Sequence, residues 1–392
     1  MMSKYKKYKR IFLIVLDSVG VGNAHDAYKF DDEGANTLLH TLEYNNGDLP
    51  HLARLGFLEL IGKTSDVKID AYYTKSSEIS LGKDTLTGHL EMMGIETHIP
   101  FKTFTDNGFP HELILELENR TGRKVIGNVA ASGTEIIEKL GEEHMKTGSI
   151  IVYTSADSVL QIAAHEEIIP LDELYHICTI ARELTTKPEW KVGRVIARPF
   201  IGSPGNFTRT SNRHDYALNP PKKTILDNLK AGQFDVLAIG KISDIFNGCG
   251  ITESKRTMDN TDGINEIKKL EQKDFTGLGF INLNDFDSKY GHRRNPVGYM
   301  EALKEFDDNI ENIKELLHND DLLIITADHG NDPTYKGTDH TREMVPVLIY
   351  NKEFLMPRRL SDLTTFASIG ATIADNFNIE YSMGESFLED LK

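Results

Sequence analysis

The sequence contains little cysteine or tryptophan, and its N-terminal region has no long apolar run. Only two Cys and one Trp occur among 392 residues, so no disulfide framework is expected. The first apolar run, residues 11–16, ends at Asp17 after six residues. Such a run is too short for a signal-peptide core or a membrane span. We therefore expect a cytoplasmic protein without a membrane partner.

Basic residues are outnumbered by acidic ones. Lys and Arg together number 44 and Asp and Glu number 60, which gives a net charge of −16. A chain of this charge is repelled by nucleic acids and by anionic membrane surfaces, so we expect neither as a partner. Apolar residues make up 39% and charged residues 27%, as in ordinary globular proteins. The length is sufficient for two domains, or for one large domain with an insertion.

Short apolar runs predict a set of buried strands in a parallel sheet. These runs are residues 11–16, 236–239, 279–283, 322–325 and 345–350. Helical spacing of apolar residues predicts helices at residues 49–60, 299–317 and 364–377. Strands that alternate with helices are typical of an α/β fold with a mostly parallel central sheet.

The region between Pro100 and the Pro220-Pro221 pair has a different character. It predicts a helix at residues 111–121, a strand at 150–153, a helix at 171–184 and a strand at 193–197. Because it separates the Asp17 strand from the later strands, we expect an α+β domain at residues 101–221. It would be inserted into a core domain made of residues 1–100 and 222–392.

Aspartates follow three of the predicted strands, at positions 17, 287 and 328. The carboxyl ends of parallel strands lie at one edge of a sheet, so these carboxylates are expected to converge. Histidines occur in the loops leaving two of these strands: His292, His329 and His340. Three carboxylates in one place repel each other, and neutral histidines do not offset that repulsion. Two divalent metal ions would, and Asp and His ligands suit Mn²⁺ or Zn²⁺.

The turn after the first strand permits other interpretations. Asp17 is followed by Ser-Val-Gly-Val-Gly, and a glycine-rich turn after a first strand also occurs in dinucleotide-binding folds. The third glycine of that motif is missing here, which disfavours a dinucleotide. Asp17 by itself would equally fit a residue that caps a turn or a helix.

A loop rich in hydroxyl groups offers a nucleophile for phosphoryl transfer. Residues 82–87 read GKDTLT, and a helix is expected to begin near Gly88. A hydroxyl at a helix N-terminus meets backbone N–H groups that suit a phosphate, although a Thr there is also a common N-cap. Metal coordination activates a hydroxyl for attack. Thr85 is our candidate nucleophile, with Thr87 and Asp84 as rivals.

Arginines cluster in the second half of the inserted segment. Arg194 and Arg198 flank its last predicted strand, and Arg209 and Arg213 follow in the segment NFTRTSNRHD. The planar guanidinium of arginine donates paired hydrogen bonds to phosphate oxygens, so phosphate binding is one interpretation of this cluster. Solvated surface charges explain Arg194 and Arg213 equally well.

Eight motifs along essentially the whole chain resemble one known family. They are YKRIFLIVLDSVGVG, SLGKDTLTGHLE, IVYTSADSVLQIAAHEE, VGRVIARPF, NFTRTSNRHDYAL, IGKISDIF, NDFDSKYGHRR and TADHGNDPTYKGTDHTRE. The chain resembles the phosphopentomutases of the alkaline phosphatase superfamily. The resemblance implies an alkaline-phosphatase-like α/β core with an inserted cap domain. One position departs from the family: Leu90 stands where an aromatic residue is common, which bears on helix packing.

The resemblance also implies a site and a reaction. Thr85 would carry a phosphoryl group. One Mn²⁺ would be held by Asp17, Thr85, Asp328 and His329, and another by Asp287, His292 and His340. The sugar phosphate would contact Asp157, Arg194, Arg209 and Lys241. Phosphate would move between O1 and O5 of ribose or 2-deoxyribose, primed by a sugar bisphosphate such as glucose 1,6-bisphosphate. The implied partners are small pentose phosphates, and no oligomeric state is assigned.

Other functions use the same type of core. A phosphatase or a sulfatase is one alternative, because a fold does not determine a function. The inserted domain disfavours simple hydrolysis, since closure over the site would exclude water. A cofactor-independent phosphoglycerate mutase is another alternative, but it uses a Ser acceptor where this loop offers Thr. A non-catalytic metal or sugar-phosphate binding protein would not need a nucleophile.

Overall fold

The computed structural model describes residues 5–64, 66–155 and 158–392. The strands within these residues, in chain order, are β1 (Arg10–Leu16), β2 (Tyr72–Ser76), β3 (Val125–Ala130), β4 (Ile150–Thr154), β5 (Val159–His165), β6 (Arg194–Ser203), β7 (Asn206–Arg209), β8 (His214–Ala217), β9 (Asp235–Ile239), β10 (Glu253–Lys255), β11 (Gly277–Leu283), β12 (Asp321–Thr326) and β13 (Val345–Tyr350).

The α-helices within the same residues are α1 (Thr37–Asn45), α2 (Pro50–Ala53), α3 (Thr85–Met92), α4 (His111–Thr121), α5 (Gly133–Thr147), α6 (Leu171–Leu184), α7 (Ile225–Ala231), α8 (Ile242–Ile245), α9 (Asn260–Glu271), α10 (Pro296–Leu316) and α11 (Ala367–Asn376). A π-helical turn spans Phe286–Gly291. Across the described parts of the chain, no helix is both long enough and apolar enough to cross a bilayer.

The chain divides into two compact units. The first comprises Met1–His98 and Asn219–Lys392, and the second comprises Ile99–Leu218. The first unit contains a seven-stranded sheet with the order β10-β9-β11-β1-β12-β13-β2. Its strands from β10 to β12 are parallel. This confirms the predicted α/β class with a mostly parallel sheet flanked by helices.

The direction of β13 differs from our expectation. The run at residues 345–350 forms a strand with the predicted limits, but it pairs antiparallel with β12 and with β2. A continuous apolar run shows that a strand is buried and carries no information about the direction of its neighbours. The sheet is therefore mixed at this edge.

The predicted helix at residues 49–60 was also wrong. That segment forms the short helix α2 and a separate 3-10 turn, Leu58–Ile61. Between them lies Gly56, which has a φ of +80°. A residue in the left-handed conformation interrupts an α-helix. The apolar residues that suggested one helix therefore belong to two short helical segments.

The second unit is built around its own sheet, with the order β3-β4-β5-β6-β7 and β8 paired to β6. Successive residues of β4 point to opposite faces. Ile150 and Val152 pack into a core that includes residues of α4 and α6. Ile151 and Tyr153 pack into a second core with residues of α5. Helices therefore cover both faces of this sheet.

At the amino end of the first unit's sheet, a buried ion pair joins β1 to β12. The guanidinium of Arg10 donates to both carboxylate oxygens of Asp321, at 2.7 and 2.5 Å. Both side chains are buried. Asp321→Ala leaves the Arg10 charge buried without its carboxylate, so we expect the free energy of unfolding to fall by about 3–5 kcal/mol. Urea unfolding measures the change.

The neighbouring pair of Lys9 and Asp274 is the matched control, because Asp274 is 90% exposed. Asp274→Ala should change the free energy of unfolding by less than about 1 kcal/mol. Equal losses in both variants would contradict a special role for the buried pair.

Candidate active site

The site lies at the carboxyl ends of three adjacent parallel strands, β11, β1 and β12. Asp17 follows β1 directly, and Asp328 is the second residue after β12. Asp287 lies in the π-helical turn that follows β11. All three carboxylates are buried. Strand order thus brings Asp17 together with two side chains from the last third of the sequence.

One group of possible metal ligands is formed by Asp17, Asp328 and His329. Their ligand atoms lie within 4.8 Å of one another. Nε2 of His329 is 3.4 Å from Oδ1 of Asp17 and 3.5 Å from Oδ2 of Asp328. Two carboxylates and one imidazole at this spacing are a donor set that suits Mn²⁺ or Zn²⁺.

A second group is centred on Asp287. Its Oδ1 is 3.3 Å from Nε2 of His340, and its Oδ2 is 3.4 Å from Nε2 of His292. The ligand atoms of Asp287, His329 and His340 again lie within 4.8 Å of one another. His329 therefore lies between the two groups. The structure brings all six Asp and His side chains together, while their division between two ions stays a prediction.

Backbone carbonyls orient two of the imidazoles. Nδ1 of His292 donates to the carbonyl oxygen of Thr338 at 2.9 Å, and Nδ1 of His329 donates to that of Gly330 at 3.0 Å. In the neutral ring, a proton on Nδ1 leaves the lone pair on Nε2. In both residues Nε2 faces a carboxylate of the cluster. This is the arrangement by which proteins prepare a histidine to bind a metal.

Thr85 is the first residue of α3, and its hydroxyl lies in the cluster. Oγ1 is 3.1 Å from Nε2 of His329 and 3.5 Å from Oδ1 of Asp17. Neither rival occupies this position. Asp84 is the N-cap, and its carboxylate accepts from the backbone N–H groups of Leu86 and Thr87. The Thr87 hydroxyl donates to the same carboxylate at 2.6 Å.

This cap corrects one detail of the sequence interpretation. The N–H groups of Leu86 and Thr87 bind the Asp84 side chain, so they are not open to a phosphate. Nor is Thr85 the N-cap residue. Helix α3 instead places the Thr85 hydroxyl by its close approach to the loop after β12. A Cβ atom at Gly88 would lie 2.2 Å from the carbonyl oxygen of Asp328, so only glycine allows this approach.

The buried charges of the cluster perturb one another. Burial, together with the carboxylate of Asp328, raises the pKa of Asp17. Burial also opposes the charged form of His329, yet the carboxylates of Asp328, Asp17 and Asp287 raise the pKa of that imidazole well above its usual range. Burial opposes ionisation of Asp328 and Asp287 as well, yet neighbouring imidazoles lower the pKa of both carboxyls. The buried carboxylates and imidazoles therefore depend on one another for charge balance.

Two buried atoms of the cluster, Oδ2 of Asp328 and Nε2 of His340, make no hydrogen bond of good geometry with the described residues. Each has an ion-pair neighbour, Nδ1 of His89 at 3.2 Å and Oδ1 of Asp287 at 3.3 Å respectively. Buried polar atoms without hydrogen bonds are costly, and those in native proteins need an explanation. Divalent cations would satisfy both atoms and offset the carboxylate repulsion. The residues present therefore fit a divalent metal centre.

A sequence profile of the metalloenzyme superfamily matches residues 9–381, which is most of the chain. The chain belongs to the metalloenzyme superfamily. It is thus a member of a family of metal-dependent enzymes.

Two solved structures resemble this metalloenzyme over nearly their whole length. A Pyrococcus horikoshii protein is 15% identical, with a TM-score of 0.51, and the match covers 96% of this chain and 99% of that one. A Leishmania mexicana phosphoglycerate mutase is 11% identical, with a TM-score of 0.52, and the match covers 97% and 98%. At these identities the similarity shows the fold alone.

Sequence reasoning missed the amide donors that hold the carboxylates of this metalloenzyme. The side-chain amide of Asn282 donates to Asp17 at 2.9 Å, and that of Asn331 donates to Asp287 at 2.8 Å. The backbone N–H of Ser18 donates to Asp328 at 3.0 Å. One signal was present in the sequence, because Asn282 is polar within an apolar strand.

The residues expected to hold the sugar phosphate lie in both units. Lys241 comes just after β9, the strand next to β11, and so lies at the same edge of the sheet as Asp17. Arg194 begins β6 and Arg209 ends β7 in the second unit. Asp157 lies outside the described residues. The role of these four residues stays a proposal.

The other arginines of the second unit have structural partners. Arg213 donates twice to the carboxylate of Asp215, at 2.6 Å each time. Arg198 is half-buried and donates to Gln161 at 3.0 Å. The partly exposed pair of Arg213 with Asp215 favours the surface-charge interpretation for Arg213. A nitrogen of Arg194 lies 3.8 Å from the same carboxylate, so both interpretations of Arg194 stay open.

Asp17→Asn tests the electrostatics of the cluster. A raised pKa in the folded state means that the ionised carboxylate destabilises the fold at neutral pH. The uncharged amide has the same shape, so we expect the melting temperature in EDTA to rise. We also expect the further rise that Mn²⁺ gives the parent protein to become smaller, because the ligands around Asp287 remain. Thermal unfolding with EDTA and with Mn²⁺ measures both effects.

Asp285→Asn is the matched control for that experiment. The Asp285 carboxylate accepts from the backbone N–H of Asn260 and from Lys289, outside the ligand groups. This variant should keep the full response to Mn²⁺. If Asp17→Asn also kept the full response, Asp17 would not be a metal ligand.

Proposed function

We propose that the protein is a phosphopentomutase, which interconverts ribose 1-phosphate or 2-deoxyribose 1-phosphate with the 5-phosphate. The observation that carries the proposal is the position of the Thr85 hydroxyl within a buried cluster of carboxylates and imidazoles. A phosphatase core needs such a nucleophile as well. The motifs that resemble the phosphopentomutases point to the mutase.

Two divalent cations, for which we propose Mn²⁺, would supply positive charge to the transferring phosphoryl group and to the oxygens on either side of it. Asp17, Asp328 and His329 would hold one cation together with Thr85. Asp287, His292 and His340 would hold the other. The hydrogen bonds from Nδ1 of His292 and His329 to backbone carbonyl oxygens keep Nε2 of both rings directed into the cluster.

The reaction begins with Thr85 phosphorylated, a state that a sugar bisphosphate such as glucose 1,6-bisphosphate provides. The 5-hydroxyl of ribose 1-phosphate attacks phosphorus, the bond from phosphorus to Oγ1 of Thr85 breaks, Oγ1 takes up the proton of the 5-hydroxyl until the return step, and ribose 1,5-bisphosphate forms. After this intermediate reorients, Oγ1 attacks the phosphorus of the 1-phosphate. The bond from that phosphorus to O1 breaks, and O1 takes up the proton that the 5-hydroxyl released. Ribose 5-phosphate leaves and Thr85 is phosphorylated again.

A mutase must retain its intermediate and keep water from the phosphothreonine. We propose that Arg194, Arg209 and Lys241, with Asp157, bind the sugar and the phosphate that is not being transferred. Guanidinium and ammonium groups bind phosphate through charge-assisted hydrogen bonds. The second unit would act as a cap domain that excludes water during the transfer.

Thr85→Val removes the nucleophile and keeps the shape of the side chain. We expect ribose 5-phosphate formation to fall by on the order of a thousandfold or more. The mass gain of one phosphoryl group, which glucose 1,6-bisphosphate should give the parent protein, should disappear. Initial rates and intact-protein mass spectrometry measure the two effects.

The control is Thr87→Val, because the Thr87 hydroxyl bonds to Asp84 and lies outside the cluster. It should still accept a phosphoryl group, while losing about 1–3 kcal/mol of stability with that charged hydrogen bond. Full mutase activity in Thr85→Val would refute Thr85 as the acceptor.

A further inference from the structure

The side chain of Arg342 is buried, although the sequence gives it no expected role. It follows His340 by two residues and is 1% exposed. Its guanidinium donates to the Glu78 carboxylate at 2.6 Å and to the carbonyl oxygens of Glu78 and Gly82, at 2.7 and 2.5 Å. It also donates to both carboxylate oxygens of Asp26, at 2.9 and 3.1 Å.

Three of these contacts hold the loop that precedes Thr85. This loop, residues 77–84 and called the Thr85 loop below because it leads into Thr85, connects β2 to α3 and has no regular secondary structure. The Glu91 carboxylate of α3 accepts from the backbone N–H groups of Ile79 and Ser80. Arg342 binds the carbonyl and carboxylate groups of the same loop. The position of Thr85 thus depends on contacts from both sides of the loop.

Arg342 itself is tied to the metal-ligand cluster through the backbone. Its neighbour Thr341 pairs with Gly330, with N–H to carbonyl distances of 2.8 and 3.1 Å in the two directions. Gly330 follows His329, and Thr341 follows His340. The Arg342 guanidinium therefore links the Thr85 loop to the paired backbone segments that carry the candidate ligands His329 and His340.

Direct binding of substrate by Arg342 does not fit these contacts. The side chain is buried, and the side chains of Glu78 and Asp26 together with two backbone carbonyls already occupy its donors. We propose that Arg342 is a positioning residue, which holds the Thr85 loop so that the Thr85 hydroxyl stays in the cluster. This inference rests on the proposed function in taking Thr85 as the acceptor.

The test compares Arg342→Lys with Arg10→Lys. Lysine keeps the charge, but a single ammonium group does not reproduce the planar fork of a guanidinium. Arg10 is the matched control, because it is equally buried and also binds a carboxylate and two carbonyl oxygens, those of Glu271 and Lys273. It lies at the opposite end of the sheet from the cluster. Both variants should lower the melting temperature.

Hydrogen exchange of the loop separates positioning from general stability. The amides of Ser77, Ile79, Ser80 and Leu81 are hydrogen-bonded and should exchange slowly in the parent protein. We expect Arg342→Lys alone to exchange faster there. We also expect it to slow phosphoryl transfer from glucose 1,6-bisphosphate to Thr85 by on the order of a hundredfold, since small misplacements cost that much. The KM should change little.

Slow exchange and an unchanged transfer rate in Arg342→Lys, like those in Arg10→Lys, would overturn the inference. If Arg342→Lys does not fold, Glu78→Met removes the side-chain acceptor of the guanidinium at similar length, and faster loop exchange is again the expected result. A parent protein that takes up no phosphoryl group would refute the proposed function. The exchange comparison would still decide whether Arg342 holds the loop.

Discussion

The main physical constraint on this site is the mutual repulsion of three buried carboxylates, which other charges must offset. β11, β1 and β12 are neighbours in the sheet, and each delivers an aspartate to the same edge. Close packing raises the pKa of Asp17 through burial and the charge of Asp328. Carboxylates are seldom gathered in this way unless cations bind between them. Membership of the metalloenzyme superfamily agrees with that physical requirement.

Acidic side chains have different partners at the two ends of the first unit's sheet. At the amino end, the guanidinium of Arg10 neutralises Asp321 directly. At the carboxyl end, the carboxylates face imidazoles and uncharged amide donors such as Asn282 and Asn331. Amide donors orient a carboxylate without cancelling its charge, which remains available to a cation. The same sheet thus neutralises its acidic groups at one end and leaves their charge available at the other.

Much of the core was predictable because buried parallel strands are continuous apolar runs. The runs at residues 11–16 and 279–283 became β1 and β11 with ends shifted by one or two residues. The convergence of their carboxyl ends at one edge followed from a general rule about parallel strands, whereas the neighbouring order β11-β1-β12 was not predicted. The antiparallel direction of β13 did not follow, since apolar character says nothing about pairing partners.

Contacts that hold the site were harder to predict, because they join residues that are distant in the sequence and of ordinary type. Arg342 and Glu78 are 264 residues apart, and nothing in either local sequence marks the pair.

The most direct test of the proposed function supplies Mn²⁺, ribose 1-phosphate and a trace of glucose 1,6-bisphosphate, and follows ribose 5-phosphate and free phosphate together. The proposal predicts ribose 5-phosphate without free phosphate. Release of free phosphate alone would contradict it and would indicate a metal-dependent phosphatase.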